Sequence, residues 1–255
     1  MSLLLHLFFQ DSFSIFLGQK VLKKVLCLVF IGKNKMIIRL TEEQLLSIIN
    51  KRINEAMSEN FSFDMLKSIR SLNGRLKYCK EHLGLPIGKG SSRVCFQLDD
   101  DRILKLAINN KGIAQNEVEG RPDWYLDAMD IKPTVFDETD FDDYLFIVCE
   151  YVLPANKKDF PKMIGMTWNQ YVDFVKTCIC QRKGGTPPID WETFEKIIEN
   201  NEKLHSINDY IANYDTADAG DLCHIRNYGL SKDKGIVILD TGLNDEVYRK
   251  YYQRN

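Results

Sequence analysis

The chain has 255 residues, of which 34 are basic and 36 acidic, so its formal net charge is −2. This balance excludes the strong positive field that attracts nucleic acid, and we expect no nucleic-acid partner. Hydrophobic residues make up 44% and charged residues 27%, which excludes a largely disordered chain and fits one medium domain or two small lobes. The seven cysteines form no Cys-x-x-Cys pair. They predict small buried side chains in a reducing, cytoplasmic setting.

Residues 1–35 form an apolar extension that is interrupted by charges. The uncharged runs are far shorter than the ~20 residues that a membrane-spanning helix needs, so we expect no integral membrane span. Lysines in the middle of the segment do not fit a signal peptide. Two hypotheses remain: an amphipathic surface anchor around Lys20, Lys23 and Lys24, or translation from Met36, with residues 1–35 not translated or disordered.

Residues 36–85 predict a helical accessory segment. Thr41 to Gln44 has the pattern of a capping box, and leucines and isoleucines at helical spacing follow it as far as Ile53. A second helix is predicted from about Phe63 to Glu81. Neither helix carries residues that suggest chemistry.

A glycine-containing loop opens the next segment. Gly88 and Gly90 precede Val94, Phe96 and Leu98, which alternate with less apolar residues as in a strand. Glycines let backbone amides approach phosphate oxygens closely, although Gly-x-Gly is also common in ordinary turns.

A return strand, Arg102 to Ala107, follows a turn of three aspartates. Lys105 lies on the same face of this strand as Ile103 and Ala107, and a lysine that points inward is costly unless it is paired. The alternative is an exposed lysine whose aliphatic stem packs against the hairpin.

The second half predicts a buried strand, two helices and two carboxylates. The strand lies within the apolar run from Tyr144 to Pro154, and amphipathic helices are predicted over 166–181 and 190–206, with aromatic stripes that favour core packing. Asp221 follows Gly220, and Asp240 ends the apolar run 235–239. Two such carboxylates with Asn227 between them suit Mg²⁺ binding and the orientation of a hydroxyl group.

The order of these features resembles the protein-kinase-like superfamily over residues 87–243. The Gly220-Asp221-Leu222 segment is similar to the catalytic motif of aminoglycoside and choline phosphotransferases. The amino-acid sequences of 112–117 and 239–252 are similar to those of uncharacterised kinase-like proteins of bacteriophages. The resemblance implies an α+β, two-lobed fold, with a small antiparallel sheet lobe at 86–153 and a reduced helical lobe at 154–255. It also implies a host-cytoplasmic or virion-associated location.

The resemblance assigns roles by position, with ATP and Mg²⁺ as cofactors. Gly88 and Gly90 would cover the phosphates, and Lys105 would bind them, braced by Glu117 or, failing that, by Glu119. The adenine would meet the backbone of a hinge containing Glu150 and Val152. Asp221 would be the catalytic base, and Asn227 and Asp240 would hold Mg²⁺.

Several residues depart from the family pattern. Arg93 stands where the loop has its third glycine, Ala219 stands where the motif has His, and Thr241 stands between Asp240 and Gly242. Asn227 follows Asp221 by six residues, whereas the family spacing is five. Only 13 residues follow Gly242 (255 − 242), so we do not expect a peptide substrate.

Three interpretations follow from the sequence. The first is an ATP/Mg²⁺-dependent phosphotransferase acting on an unknown hydroxyl acceptor. The second is a catalytically inactive, pseudokinase-type binding module or phage structural module with an unknown protein partner. The third is an unrelated α+β structural protein, which predicts that Lys105 and Asp240 lie far apart.

Overall fold

The computed structural model describes residues 25–31, 34–40, 60–213 and 220–253. The chain divides into two compact units, Met1–Glu59 and Asn60–Asn255. In the first unit, strand β1 (Val25–Ile31) pairs antiparallel with β2 (Asn34–Leu40), with Val25 opposite Leu40. This pairing crosses the domain boundary predicted at residue 35. The helix predicted from Thr41 to Ile53 lies outside the described residues.

The second unit begins with two short helices where the sequence predicted one. Helix α1 (Phe63–Ser68) and helix α2 (Leu72–Leu83) are separated by an extended residue, Ile69. The hydroxyl of Ser71 accepts from the amide of Gly74 at 3.0 Å and so starts a new helix. A cap of this kind is visible in the sequence only once the chain is known to break there.

A four-stranded antiparallel sheet follows, in the order β3 (Gly88–Lys89), β4 (Arg93–Gln97), β5 (Arg102–Ala107) and β6 (Phe146–Glu150). The strands and the inward position of Lys105 agree with the sequence prediction. Lys105 lies opposite Cys95 on β4 and Ile147 on β6. It therefore stands in the middle of the sheet, with a paired strand on each side.

Helix α3 (Asn110–Gly120) packs directly on this sheet. A Cβ at Gly112 would collide with the backbone of Ser92, so only glycine allows the helix to come this close to the loop before β4. A five-residue helix, α4 (Trp124–Ala128), follows. The apolar core shared by the sheet and the first two helices consists of Leu66, Cys79, Leu83, Val94, Phe96, Leu98, Leu104, Leu106, Leu145, Phe146 and Val148.

The second half of the unit combines a three-stranded antiparallel sheet with helices. The strands are β7 (Leu153–Pro154), β8 (Tyr228–Ser231) and β9 (Gly235–Ile238). The helices are α5 (Phe160–Met163), α6 (Trp168–Lys183), α7 (Trp191–Glu199), α8 (Glu202–Asn213) and α9 (Asp245–Tyr251). Helix α6 lies close to its predicted range. The helix predicted over 190–206 is in fact two helices, and the Asn201 side chain accepts from the amide of Leu204 at 3.1 Å where the second begins.

The aromatic stripe of α6 is core, as predicted. Trp168, Tyr171 and Phe174 are buried, and the Tyr171 hydroxyl donates to that of Tyr228 at 2.9 Å. Tyr228 in turn donates to the carbonyl of Leu222 at 2.7 Å, so two buried hydroxyls on different elements are satisfied by one chain of hydrogen bonds. On α7, Phe194 is buried but Trp191 is 41% exposed, so the predicted stripe is only partly core.

The architecture is α+β, as the sequence predicted. Within the described ranges, the structure contains no helix long and apolar enough to cross a membrane.

Candidate functional site

Four charged side chains meet between the four-stranded sheet, helix α3 and the segment after β9. They are Arg93 on β4, Lys105 on β5, Glu119 on α3 and Asp240, two residues beyond Ile238. We call these four residues the charged cluster. The cluster joins residues up to 147 positions apart in the chain.

Direct ion pairs hold the charged cluster together. The Glu119 carboxylate accepts from Lys105 Nζ and, at 2.6 Å, from Arg93 Nη1. Arg93 Nη2 donates to Asp240 Oδ1 at 2.8 Å. Lys105 Nζ also donates to the carbonyl of Leu239 at 2.8 Å, beside Asp240. Lys105 and Asp240 therefore lie close together, which is the opposite of what the third sequence interpretation predicts.

The cluster is buried except at one end. The side chains of Arg93, Lys105 and Glu119 are 8%, 7% and 3% exposed, whereas that of Asp240 is 47% exposed. Two positive and two negative charges balance, which makes the burial tolerable. Burial alone would raise the pKa of Glu119, but the charges of Lys105 and Arg93 and their hydrogen bonds outweigh it and lower the pKa to about 2. Glu119 is thus ionised throughout the physiological range.

Glu119, and not Glu117, is the partner of Lys105. Glu117 is exposed on α3, and it lines a surface cavity with Ala114 and Arg121. Side chains two positions apart on a helix point about 200° apart around its axis, because each residue turns the helix by about 100°. The first choice made from the sequence therefore lies on the wrong face, and the second choice lies on the face that meets the sheet.

The glycine loop is tied to its own turn and to α3. The Gly90 amide donates to the carbonyl of Arg93 at 2.9 Å. As long as this turn is formed, the amide does not donate to a phosphate. Gly88 is paired in β3, opposite Cys95. The Ser92 hydroxyl donates to the side chain of Gln115. The arrangement holds the loop against the helix, next to Arg93.

Asp221 and Asn227 lie on two consecutive short 3₁₀ turns, Asp221–Cys223 and Ile225–Asn227. Asn227 Nδ2 donates to the backbone carbonyl of Asp221 at 2.8 Å, and the carbonyl of Asn227 accepts from the amide of Leu239 at 2.8 Å. These bonds place Asn227 next to the strand end that carries Asp240, and they tie the backbone of Asp221 to Asn227.

The predicted hinge is engaged in contacts within the protein. Glu150 accepts from the hydroxyl of Ser231 at 2.6 Å, and its amide donates to the carbonyl of Thr134 at 2.8 Å. The amide of Tyr151 donates to Asp101 at 2.7 Å. Val152 is buried, and it leaves no room for a Cβ at Gly229. These residues join the four-stranded sheet to the three-stranded one.

Sequence reasoning missed two contributors to the site. The first is Arg93, which the sequence presents only as the residue in place of the third glycine, and which in the structure pairs with Glu119 and Asp240. The second is Gly242, where a Cβ would collide with the backbone of Gln115 on α3. Its role is to bring the segment after β9 against α3.

Comparison with known proteins gives no further guide to the site. A scan against protein-family models, a search of curated proteins and a search of solved structures found no significant match to this chain. The function is therefore argued from the geometry.

Proposed function

We propose that the chain is a kinase-like binding module that holds a nucleotide without transferring its phosphoryl group. The proposal adopts the two-lobed arrangement implied by the sequence, with the charged cluster between a sheet lobe and a helical lobe. Its support is the pairing of Lys105 with Glu119 beside the strand end that carries Asp240. A strand lysine paired with a helical glutamate is the arrangement that kinases use to position phosphates.

One observation favours nucleotide binding over catalysis: Asp240 already forms an ion pair with Arg93. The resemblance assigns Asp240 and Asn227 to Mg²⁺, but Asp240 Oδ1 already accepts from the Arg93 guanidinium. The described residues contain no group of three or more His, Cys, Asp or Glu side chains that could hold a metal ion. Mg²⁺ at Asp240 would share this carboxylate with Arg93 and would add positive charge to a cluster whose charges already balance, which favours binding without Mg²⁺.

The exposed part of the cluster is where a nucleotide would bind. Arg93 and Lys105 are almost fully buried, so their charge reaches a ligand only at the end marked by Asp240. A phosphate there would contact the edge of the Arg93 guanidinium, which presents several N–H donors in one plane. Arg93 would supply the positive charge at that edge.

A second candidate function is phosphotransfer to an unknown hydroxyl acceptor. It is favoured by the position of Asn227 next to Leu239, with Asp221 tied to Asn227 through its backbone carbonyl, where an acceptor hydroxyl could be oriented. It requires the Arg93–Asp240 ion pair to open.

Calorimetric titration of the full chain with ATP, in EDTA and in excess Mg²⁺, distinguishes these functions. We expect the same affinity in both conditions, no ATP turnover, and at least a tenfold loss of affinity in Lys105→Met. Lys80→Met, an exposed lysine on α2, is the matched control and should bind normally. Binding that requires Mg²⁺, with turnover lost in Asp221→Asn, would establish the second candidate instead. The absence of binding at millimolar ATP in both conditions would contradict both.

A further inference from the structure

Helix α9 packs against α3 through a small and mostly polar interface. Of the seven residues of α9, all of which the structure describes, only Val247 is buried. A cavity of about 130 Å³ remains between the two helices, and its walls carry the charged residues Glu117, Arg121, Glu246 and Lys250. Elements that bury little apolar surface open locally while the rest of a domain stays folded. The interface of α9 with α3 has this character.

The end of α9 is connected to the glycine loop through one buried side chain. Gln115 on α3 is 4% exposed, and its Nε2 donates at 3.3 Å to the hydroxyl of Tyr252, the residue that follows α9. Gln115 Oε1 accepts from the hydroxyl of Ser92 in the loop. The ammonium group of Lys111, also on α3, lies 4.3 Å from the centre of the Tyr252 ring and helps to hold this ring in place. Tyr252 therefore reaches the loop through a single residue.

Ser92 lies within the turn that the Gly90 amide closes, so what holds Ser92 also supports this turn. Two further hydrogen bonds fix the loop independently of α9. The Ile108 amide donates to the carbonyl of Ser92, and Asn109 Nδ2 donates to the carbonyl of Ser91, both at 2.9 Å. Detachment of α9 would therefore loosen the turn without releasing the whole loop.

We propose that α9 is a strap that keeps the glycine loop closed, and that its detachment from α3 frees the Gly90 amide to donate to a phosphate. While Tyr252 fixes the side chain of Gln115, Gln115 fixes Ser92 and the turn stays formed. When α9 leaves α3, Gln115 loses one of its two side-chain partners and holds Ser92 less firmly. The strap is a property of the fold, whereas its effect on a phosphate rests on the proposed nucleotide binding.

Amide hydrogen exchange of the full chain without nucleotide, followed residue by residue by NMR, tests the strap itself. In wild type we expect protection factors of α9 and Gly90 to be at least tenfold lower than those of central β5 amides, because the strap opens locally. Val247→Ala removes the buried side chain of α9, and it should lower protection of α9 about tenfold and that of Gly90 at least threefold. Tyr252→Phe, which keeps the ring, should also lower protection of Gly90 at least threefold. Tyr248→Phe, an exposed tyrosine on the same helix, is the matched control and should change neither.

Calorimetric titration with ATP separates the strap from the proposed function. We expect Val247→Ala and Tyr252→Phe to bind ATP at least threefold more tightly than wild type, and Tyr248→Phe to bind it equally. Absence of ATP binding, together with lower protection of Gly90 in both variants, would contradict the proposed function and support the strap.

Two results of the exchange experiment would overturn the strap. One is unchanged protection of Gly90 in both variants, and the other is protection of wild-type α9 as high as that of β5. If Val247→Ala does not fold, Tyr252→Phe decides between these outcomes. ATP binding that is equal or weaker in the variants than in wild type would overturn the effect of detachment on phosphate binding.

Discussion

Two ion pairs in this protein have the same length and very different surroundings. Arg93 and Glu119 in the charged cluster approach to 2.6 Å, and so do Lys196 and Glu192 on helix α7. The first pair is 8% and 3% exposed, and the second is 65% and 81% exposed. Water screens the second pair and solvates each of its charges separately, whereas removal of one member of the first pair leaves a buried charge without one of its partners.

The two pairs also differ in what they connect. Lys196 and Glu192 are four residues apart on one helix and connect only neighbouring turns. The charged cluster connects β4, β5, α3 and the segment after β9, so its loss releases elements that are distant in sequence. The distance between the charges therefore does not by itself determine how much an ion pair stabilises the protein. Burial and the number of elements connected decide which substitutions have the largest effects.

The largest effect is expected from Glu119→Gln. The substitution leaves Lys105 and Arg93 with only Asp240 to balance two buried cations, and breaking a buried pair in this way costs about 3–5 kcal/mol. We expect the free energy of unfolding, measured in urea, to fall by this amount. The control is Glu117→Gln, an exposed residue on the same helix, which should change it by less than about 0.5 kcal/mol.

The two variants also test which glutamate braces Lys105. Failure of Glu119→Gln to fold, while Glu117→Gln folds normally, would support the same conclusion as a large measured loss. Equal effects of the two substitutions, or a larger effect of Glu117→Gln, would contradict the geometry described above.

A smaller effect is expected on acidification. The pKa of Glu119 is about 2 in the folded protein, below its ordinary value of about 4.3. The stabilisation is therefore complete above the unfolded value and is lost as the pH falls through 4 toward 2. A depression of this size corresponds to on the order of 3 kcal/mol.

The difference in the free energy of unfolding between wild type and Glu119→Gln measures the stabilisation that the ionised Glu119 carboxylate contributes. It should be constant above about pH 6 and narrow steadily between pH 5 and pH 2 in urea titrations. If Glu119→Gln does not fold, the acid unfolding of wild type alone should show the loss over that interval. A difference that does not change with pH would mean that Glu119 titrates as an ordinary exposed acid.

The strands of the four-stranded sheet and the position of Lys105 on β5 could largely be predicted from the sequence, because they depend on patterns of neighbouring residues. Alternation at Val94, Phe96 and Leu98 and the turn of aspartates define a hairpin within fifteen residues. The hairpin register places Lys105 opposite Cys95, on the face away from Val94 and Phe96. If helix α3 covers that face, the lysine is buried and needs an acid. The α+β class and the range of helix α6 follow from the same local patterns.

The contacts that complete the cluster could not be predicted, because they depend on packing over long distances in sequence. The choice between Glu117 and Glu119 rests on the rotation of α3, which Gly112 and Gly242 fix by letting two backbone segments approach it. Arg93 reaches Asp240 across 147 residues. The break at Asn201 was missed because a polar cap within an amphipathic pattern looks like one more solvent-facing residue.

The smallest effect completes the comparison. In a double-mutant cycle with Glu192→Ala and Lys196→Ala, we expect a coupling energy of about 0.2–0.5 kcal/mol, falling further in 1 M NaCl because salt screens exposed charges. The cycle removes the helix propensities of the single substitutions, so it isolates the ion pair itself. A coupling above about 1 kcal/mol would show that the 2.6 Å separation, which this pair shares with Arg93 and Glu119, stabilises the protein even where water screens the charges. Burial would then explain less of the difference between the two pairs than the comparison above assigns to it.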